Sequence, residues 1–282
     1  MGIKNGPKKV VLLLLSIGLV FTTACQPEDK ISKNLAYLKQ FARAEVAIER
    51  MRKKSPPDWN AIKEQYAVCS KLVKQVDEKN NTNYHAAIMD AIEKCANHQR
   101  VKVNQQTLAK GLQHVVVMQI RDSIRSMANA DLKTRKRIAN DIAALFEGIR
   151  PTFIRRDTDY FNGDKPLEKE ADLALAALKA GTDADYITAA TRLERIVNRT
   201  YGLCVLFEMK SIEKLRETDI SKCDVKLAEA VIFYRIIAPR IKKTDRKAHQ
   251  TIAATLNAEY SAVDSELLLD ALNRGLGTEI IL

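Results

Sequence analysis

Glycine and proline are scarce in this chain, which has 10 glycines and 7 prolines among 282 residues. Because these residues interrupt helices and shape the turns of β-rich proteins, their scarcity argues against a fold of many short strands. Apolar side chains instead recur three and four residues apart, as in Leu35, Leu38, Phe41 and Ala42. That spacing places them on one face of an α-helix. The sequence therefore predicts an all-α fold over residues 31–282, either a multi-helix bundle or a short α-solenoid.

The chain also lacks the short motifs of common catalytic and cofactor sites. Neither G-x-S-x-G nor H-E-x-x-H occurs, and glycine-rich phosphate loops and C-x-x-C-H are missing too. No catalytic residue, metal site or cofactor is therefore predicted, although an enzyme of unrecognised type stays open. His85 and Met89, like His114 and Met118, have a four-residue spacing that suits a shared metal ion. A structural role for these histidines is the preferred interpretation.

Acidic residues are the minority charge, with 35 Asp and Glu against 46 Lys and Arg. Residues 1–24 contain three of the lysines and no acidic residue, so the surplus in the remainder is moderate. A surplus of this sign favours contact with anionic lipid or with acidic partners. Nucleic acid is not an expected partner, because no nucleic-acid-binding motif is present.

The first 25 residues divide into three zones. Lys4, Lys8 and Lys9 precede an apolar run over residues 10–21, which is shorter than the roughly 20 residues that a transmembrane helix needs. A positive segment followed by a short apolar run is typical of a secretory signal peptide. The next residues, Thr22-Thr23-Ala24-Cys25, resemble the lipobox of bacterial lipoproteins, in which small residues precede a cysteine that is lipidated before cleavage.

This resemblance implies that residues 1–24 are removed as a signal peptide and that Cys25 carries fatty acyl groups. Several acyl chains anchor a protein firmly to a membrane, and residues 25–30 would form the tether. Gln26 rather than Asp follows the cysteine, which favours the outer membrane, facing the periplasm, if the organism is diderm. An ordinary signal peptide cleaved before an unmodified Cys25 is the alternative.

Four cysteines follow Cys25 in the chain. Export would place them in an oxidising compartment, where an even number predicts two disulfides. We expect the pairs Cys69–Cys95 and Cys204–Cys223, because the members of each pair lie close in sequence on consecutive helices. The alternative is four buried, inert thiols, since free cysteine is among the most buried residue types.

Ten helices are predicted from the apolar periodicity and from the residues that interrupt it. Segments that are apolar on more than one face, at 114–120, 202–209 and 227–237, predict the central helices. The predicted ranges are 30–54, 57–78, 83–97, 103–128, 133–157, 166–180, 183–215, 220–242, 246–257 and 262–275.

An internal repeat is the most informative feature of the helical region. Residues 146–157 and 234–245 each contain an aromatic residue, Ile, Pro, a basic pair and Asp in the same order, and a weaker copy runs from Tyr66 to Asp77. The shared Pro151 and Pro239 favour a true repeat, because amphipathic periodicity does not demand proline inside a helix. Three units are predicted, at 31–98, 103–180 and 183–278. Chance likeness between amphipathic helices is the alternative.

Basic clusters occur at residues 133–137, at Arg155-Arg156 and at residues 240–247. Because Arg155-Arg156 and Lys242-Lys243 fall at one repeat position, we expect these four residues to form a surface for a partner or for anionic lipid. Solvated helix faces are the alternative interpretation.

Taken as a whole, the sequence favours a membrane-anchored scaffold or interaction module of the bacterial cell envelope. Its expected contacts are the membrane, through lipidated Cys25, and an envelope protein. A periplasmic carrier of a small molecule, metal or cofactor is the main alternative, and the oligomeric state is left open.

Overall fold

The computed structural model describes residues 27–181 and 185–281, and within them it contains ten α-helices, one 3₁₀ turn at Tyr260–Ala262 and no strand. The predicted all-α class is confirmed, and each of the ten predicted helices corresponds to one observed helix. In chain order they are α1 (Pro27–Met51), α2 (Trp59–Asn80), α3 (Tyr84–Ala96), α4 (Val101–Met127), α5 (Leu132–Tyr160), α6 (Pro166–Ala180), α7 (Asp185–Leu215), α8 (Ile220–Thr244), α9 (Arg246–Leu256) and α10 (Ser265–Leu276).

The predicted signal peptide and Cys25 lie outside the described residues, as does the predicted start of the seventh helix at residue 183. Helix α1 begins at Pro27, so residues 27–30 are helical rather than part of the tether predicted there. Proline suits the first turn of a helix, where its missing N–H is not needed. The acidic residues at positions 28 and 29 also favour a helix N-terminus.

The aspartates that end the three similar segments have the same structural role. The carboxylate of Asp77 accepts hydrogen bonds from the backbone N–H groups of Tyr84 and His85, both at 2.8 Å. Asp157 and Asp245 do the same at the starts of α6 and α9, with bonds of 2.8 to 3.0 Å. Each aspartate therefore caps the helix that follows its own and satisfies N–H groups that have no partner within that helix.

Helix contacts recur in sets of three consecutive helices. In each set the first helix packs on the second, the second on the third, and the third on the first helix of the next set. The first helix also packs on the second helix of the next set, as α1 does on α5 and α4 on α8. The helix contacts and the aspartate caps thus recur along the chain, and the division into three units at 31–98, 103–180 and 183–278 stays a prediction.

Helix α10 takes a place that the predicted units did not give it. It packs on α9 as α4 packs on α3 and α7 packs on α6. By its contacts it is the first helix of a fourth set rather than the last helix of the third. Helix α10 packs closely on α8 at Gly275. A Cβ added there would lie 2.5 Å from Cγ2 of Ile241, which is too close for two carbon atoms.

Helices α4 and α7 form the centre of the protein. Every residue of 108–117 in α4 and of 196–206 in α7 is buried. Each fully buried aliphatic side chain contributes roughly 1.5–3 kcal/mol to folding. The predicted central segments at 114–120 and 202–209 therefore lie in or beside the core, whereas the segment at 227–237 exposes Arg235 to solvent.

Candidate functional site

A concavity of about 670 Å³ lies where α4, α7, α8 and α10 meet. We call it the arginine groove, because it is lined by Arg121, Arg125, Arg195 and Arg240. It also contains Leu276, the last residue of α10, and the two residues that follow it. Its volume falls in the range of about 300–1,000 Å³ that is usual for small-molecule sites.

Arg121 is fixed at the base of the groove by contacts from two helices. Its Nε lies 2.9 Å from a carboxylate oxygen of Glu194, and its Nη2 donates to the side-chain oxygen of Asn198 at 2.8 Å. Its Nη1 donates to the backbone carbonyl of Ile236 at 2.6 Å. Since its side chain is only 14% exposed, this guanidinium is held in one position before any ligand arrives.

The other three arginines lie at the exposed rim of the groove. Arg195 is held 2.8 Å from a carboxylate oxygen of Glu170 and is 61% exposed. Arg125 pairs with Asp122 at 2.7 Å. Arg240 is exposed, and the described residues supply it with no ion pair. Four arginines thus face the single carboxylate that lines the groove, that of Glu194.

Apolar side chains complete the wall of the groove. Ile124 comes from α4, Tyr186 and Ile187 from α7, and Leu276 from α10. Ile187 is one of the most exposed large apolar residues of the described chain. The site therefore combines a strongly positive rim with an apolar surface.

Two of the predicted basic clusters meet at this groove. The guanidinium carbon of Arg135 lies 4.1 Å from the ring centroid of Tyr186, so the cluster at 133–137 borders the wall. The cluster at 240–247 contributes Arg240. Sequence reasoning missed Arg121, Arg125 and Arg195. The only local signal was the four-residue spacing of Arg121 and Arg125, which places both on one face of α4.

The predicted partner surface is wrong for Arg156. This side chain is 7% exposed, its guanidinium lies 4.0 Å from the ring centroid of Phe207, and it pairs with Asp159 at 2.7 Å. Successive helix residues point in directions about 100° apart, so an adjacent basic pair does not share one face. Arg155, Lys242 and Lys243 are exposed, and their role stays a prediction.

The four described cysteines are free, buried thiols, so the disulfides predicted at Cys69–Cys95 and Cys204–Cys223 are not formed. The sulfur of Cys95 lies 3.5 Å from the carbonyl oxygen of Val101, and that of Cys223 lies 3.9 Å from the carbonyl oxygen of Ile212. Each of these two sulfurs therefore contacts a backbone carbonyl of a neighbouring helix, α4 or α7, rather than another sulfur. Burial raises the pKa of Cys69 to about 12, and those of Cys95 and Cys204 to about 11, which makes all three poor nucleophiles.

Three of the four histidines pair with tyrosines rather than with methionines. His85 lies 2.9 Å from the hydroxyl of Tyr66, and His249 lies 2.6 Å from the hydroxyl of Tyr234. His114 makes the same contact with Tyr84, across α3 and α4. Burial lowers the pKa of His114 to about 3, with the positive charge of Arg121 as the next cause. Within the described residues, no group of three or more His, Cys, Asp and Glu side chains has a metal-binding arrangement.

A second group of functional interest is a buried charged cluster formed by Glu45 and Glu49 of α1, Arg52 just after that helix, Lys110 of α4 and Glu229 of α8. Glu45 and Lys110 are 5% and 2% exposed. Burial, and then the charge of Glu49, raises the pKa of Glu45 to about 8. Burial also lowers the pKa of Lys110, and the carboxylate of Glu229 opposes that shift.

Glu49 lies one turn from Glu45 and behaves in the opposite way. Its carboxylate is 2.5 Å from Nε of Arg52 and 2.8 Å from Nζ of Lys53. Burial would raise the pKa of Glu49, but the hydrogen bond and charge of Arg52 lower it to about 2. Two carboxyl groups on one face of α1 therefore hold different protonation states at neutral pH.

Comparison of the chain with models of protein families, with curated proteins and with solved structures finds no match. No helix among residues 27–181 and 185–281 has the length and apolar character that a membrane crossing requires. The arginine groove and the buried charged cluster are thus the features on which functional argument rests.

Proposed function

We propose that this protein is an exported lipoprotein, held at a bacterial membrane through Cys25, and that its helical body is a scaffold or interaction module of the cell envelope. The observation that carries the proposal is the sequence of residues 4–25, where three lysines, a short apolar run and small residues precede a cysteine. The recurring sets of three helices support the second half, because stacked helical units offer extended surfaces to partners.

A second candidate function is that of a carrier of a small molecule at the same location. The arginine groove favours it, because a concavity of about 670 Å³ with apolar walls and a few placed charges has the general form of a ligand site. Both functions place the same body at the membrane, so the anchor is tested first.

Replacing Cys25 by serine in the full-length protein, expressed in a bacterium, tests the anchor. The wild-type protein should incorporate a clickable palmitate analogue, sediment with membranes and yield a mature N-terminus with the mass of an acylated cysteine. Cys25→Ser should lose all three properties, because serine supplies no thiol for lipidation. Cys223→Ala is the matched control, since it removes a buried thiol of the body and should keep them.

An unmodified Cys25 in the mature wild-type protein contradicts the proposal. So does a full-length product that stays in the cytoplasm with its first 24 residues attached.

A further inference from the structure

We infer that the arginine groove binds a single-chain amphiphilic anion, a molecule with a phosphate or carboxylate head and an apolar tail. This inference rests on the second candidate function, the carrier, and names the class of its ligand. Such a ligand needs two things from one site, a place for fixed negative charge and an adjoining apolar surface.

The charge in the groove is arranged for an anion. Arg121 already has partners in Glu194, Asn198 and Ile236, which fix its position, and Glu194 balances its charge. The surplus positive charge therefore comes from the rim. Arg195 shares the carboxylate of Glu170 with Arg192, so this group keeps a net positive charge. Guanidinium groups match phosphate and carboxylate oxygens through paired N–H donors, and such bonds are stronger than neutral ones.

Arg240 is the cation best placed to meet the head group directly. It is exposed at the rim, and no carboxylate of the described residues pairs with it. A ligand anion therefore does not have to displace a protein carboxylate to reach it. Because Lys242 and Lys243 follow on the same exposed end of α8, the approach to this rim is positive as well.

The apolar wall supplies the place for the tail. Ile187 is 60% exposed beside Tyr186, and Ile124 and Leu276 line the same concavity. Exposed apolar side chains that gather inside a groove mark a contact surface more strongly than scattered ones. A tail that covers them removes their apolar surface from water, which favours binding.

A second depression, between α1 and α5, offers an internal comparison. It has a volume of about 550 Å³ and is lined by Lys39, Arg43, Arg50 and Glu147, with alanine and valine between them. Its apolar lining is limited to alanine and valine, whereas the arginine groove has Ile124, Tyr186 and Ile187. The depression is similar in size and in the sign of its charge but lacks large apolar side chains for a tail, and it therefore provides the matched control.

The test uses three probes on residues 26–282, produced without the predicted signal peptide and without Cys25; this range contains every residue that the structure describes. Dodecyl phosphate, below its micelle concentration, has both head and tail. Inorganic phosphate has the head alone, and dodecyltrimethylammonium has the same tail with the opposite charge. Titration calorimetry should show dodecyl phosphate binding at least about tenfold more tightly than either of the other two.

Variants then assign the binding to the groove. The double variant Arg195→Gln with Arg240→Gln should lower the affinity for dodecyl phosphate at least about tenfold, because each substitution removes one exposed positive charge from the rim. Ile187→Ser should weaken it through the tail alone. Arg43→Gln, in the α1–α5 depression, should change the affinity by less than about twofold. Circular dichroism checks that all the variants keep the wild-type helix content.

A dodecyl phosphate with a diazirine at the end of its tail gives the location without mutation. Crosslinks should map to peptides that contain Ile124, Tyr186 or Ile187. Crosslinks concentrated around Arg43 would overturn the proposal.

Several other outcomes overturn it too. Equal affinity for inorganic phosphate makes the groove a plain anion site, and equal affinity for dodecyltrimethylammonium makes it an apolar surface. A glutamate-rich peptide that binds where dodecyl phosphate does not assigns the groove to a protein partner. Dimerisation that the double arginine variant abolishes assigns it to a second copy of the chain. These results leave the lipidation of Cys25 unaffected, so the failure of this inference and the failure of the anchor are separate observations.

Discussion

Replacement of Glu45 by glutamine should change how the stability of this protein depends on pH. Glu45 is buried among α1, α4 and α5, and it faces Glu49 of its own helix, Arg52 just beyond that helix, Lys110 of α4 and Arg155 of α5. Its pKa is raised from 4.5 to about 8, mainly by burial. The folded state therefore keeps this proton to about pH 8, whereas the unfolded chain releases it near pH 4.5.

The sign follows from proton binding. Between these two pKa values the folded state binds more protons than the unfolded state, so the free energy of unfolding falls as the pH rises. Each unit of pKa shift corresponds to about 1.4 kcal/mol. Between about pH 5 and about pH 9 the ionisation of Glu45 should therefore remove up to about 4 kcal/mol of stability.

Glu45→Gln keeps the size and polarity of the side chain but cannot ionise. Near pH 5 its free energy of unfolding should lie within about 1 kcal/mol of the wild-type value, and near pH 9 it should exceed that value by up to about 4 kcal/mol. Urea unfolding followed by circular dichroism at several pH values measures both. Lys110 titrates in both proteins, so the difference between them isolates the carboxyl group.

Glu49→Gln is the matched control, with the opposite sign. The pKa of Glu49 is lowered to about 2 through Arg52, so its ionised form stabilises the fold above pH 4.5 and loses that effect as the pH falls toward 2. This variant should be less stable than wild type at neutral pH, by up to about 3 kcal/mol, and the gap should close in acid. If Glu45→Gln and wild type have parallel profiles between about pH 5 and pH 9, the carboxyl of Glu45 is not held in a proton-retaining environment.

Two further predictions concern packing and thiols. Gly275→Ala should destabilise the fold by about 1–2 kcal/mol, because the added Cβ would overlap the buried Ile241. Gly111→Ala is the control and should be neutral or slightly stabilising, because the nearest atom to its Cβ lies at 3.4 Å. Thermal unfolding compares the two variants, and equal effects would contradict the close approach of α10 to α8. The body cysteines should react with a thiol reagent at pH 8 only after unfolding, and four thiols should then appear under non-reducing conditions. Finding none after unfolding would mean that the disulfides form after all.

The helices could be predicted from the sequence because their signals are local. Apolar spacing, prolines such as Pro57 and Pro166, and a capping residue such as Asp131 act within one or two turns. The aspartates at 77, 157 and 245 extend this to the repeat, since each caps the next helix along the chain. Such signals do not depend on which helices later become neighbours.

The pairing of cysteines could not be predicted in this way. Their closeness in sequence favoured a disulfide between Cys204 and Cys223. The direction of each side chain, however, depends on how its helix is rotated about its own axis within the packed core. The structure directs Cys223 toward the carbonyl of Ile212. The rotation is set by many apolar contacts at once, and no spacing between two cysteines encodes it.

The sequence by itself determined the all-α class and the ten helices, because both depend on residues a few positions apart. Only the tertiary structure decided that Arg121, Arg195 and Arg240 share one groove, that Arg156 is buried, and that Glu45 and Glu49 differ in protonation. Groups from separate helices create those properties, and their distances and their exclusion from water exist only after the helices have packed.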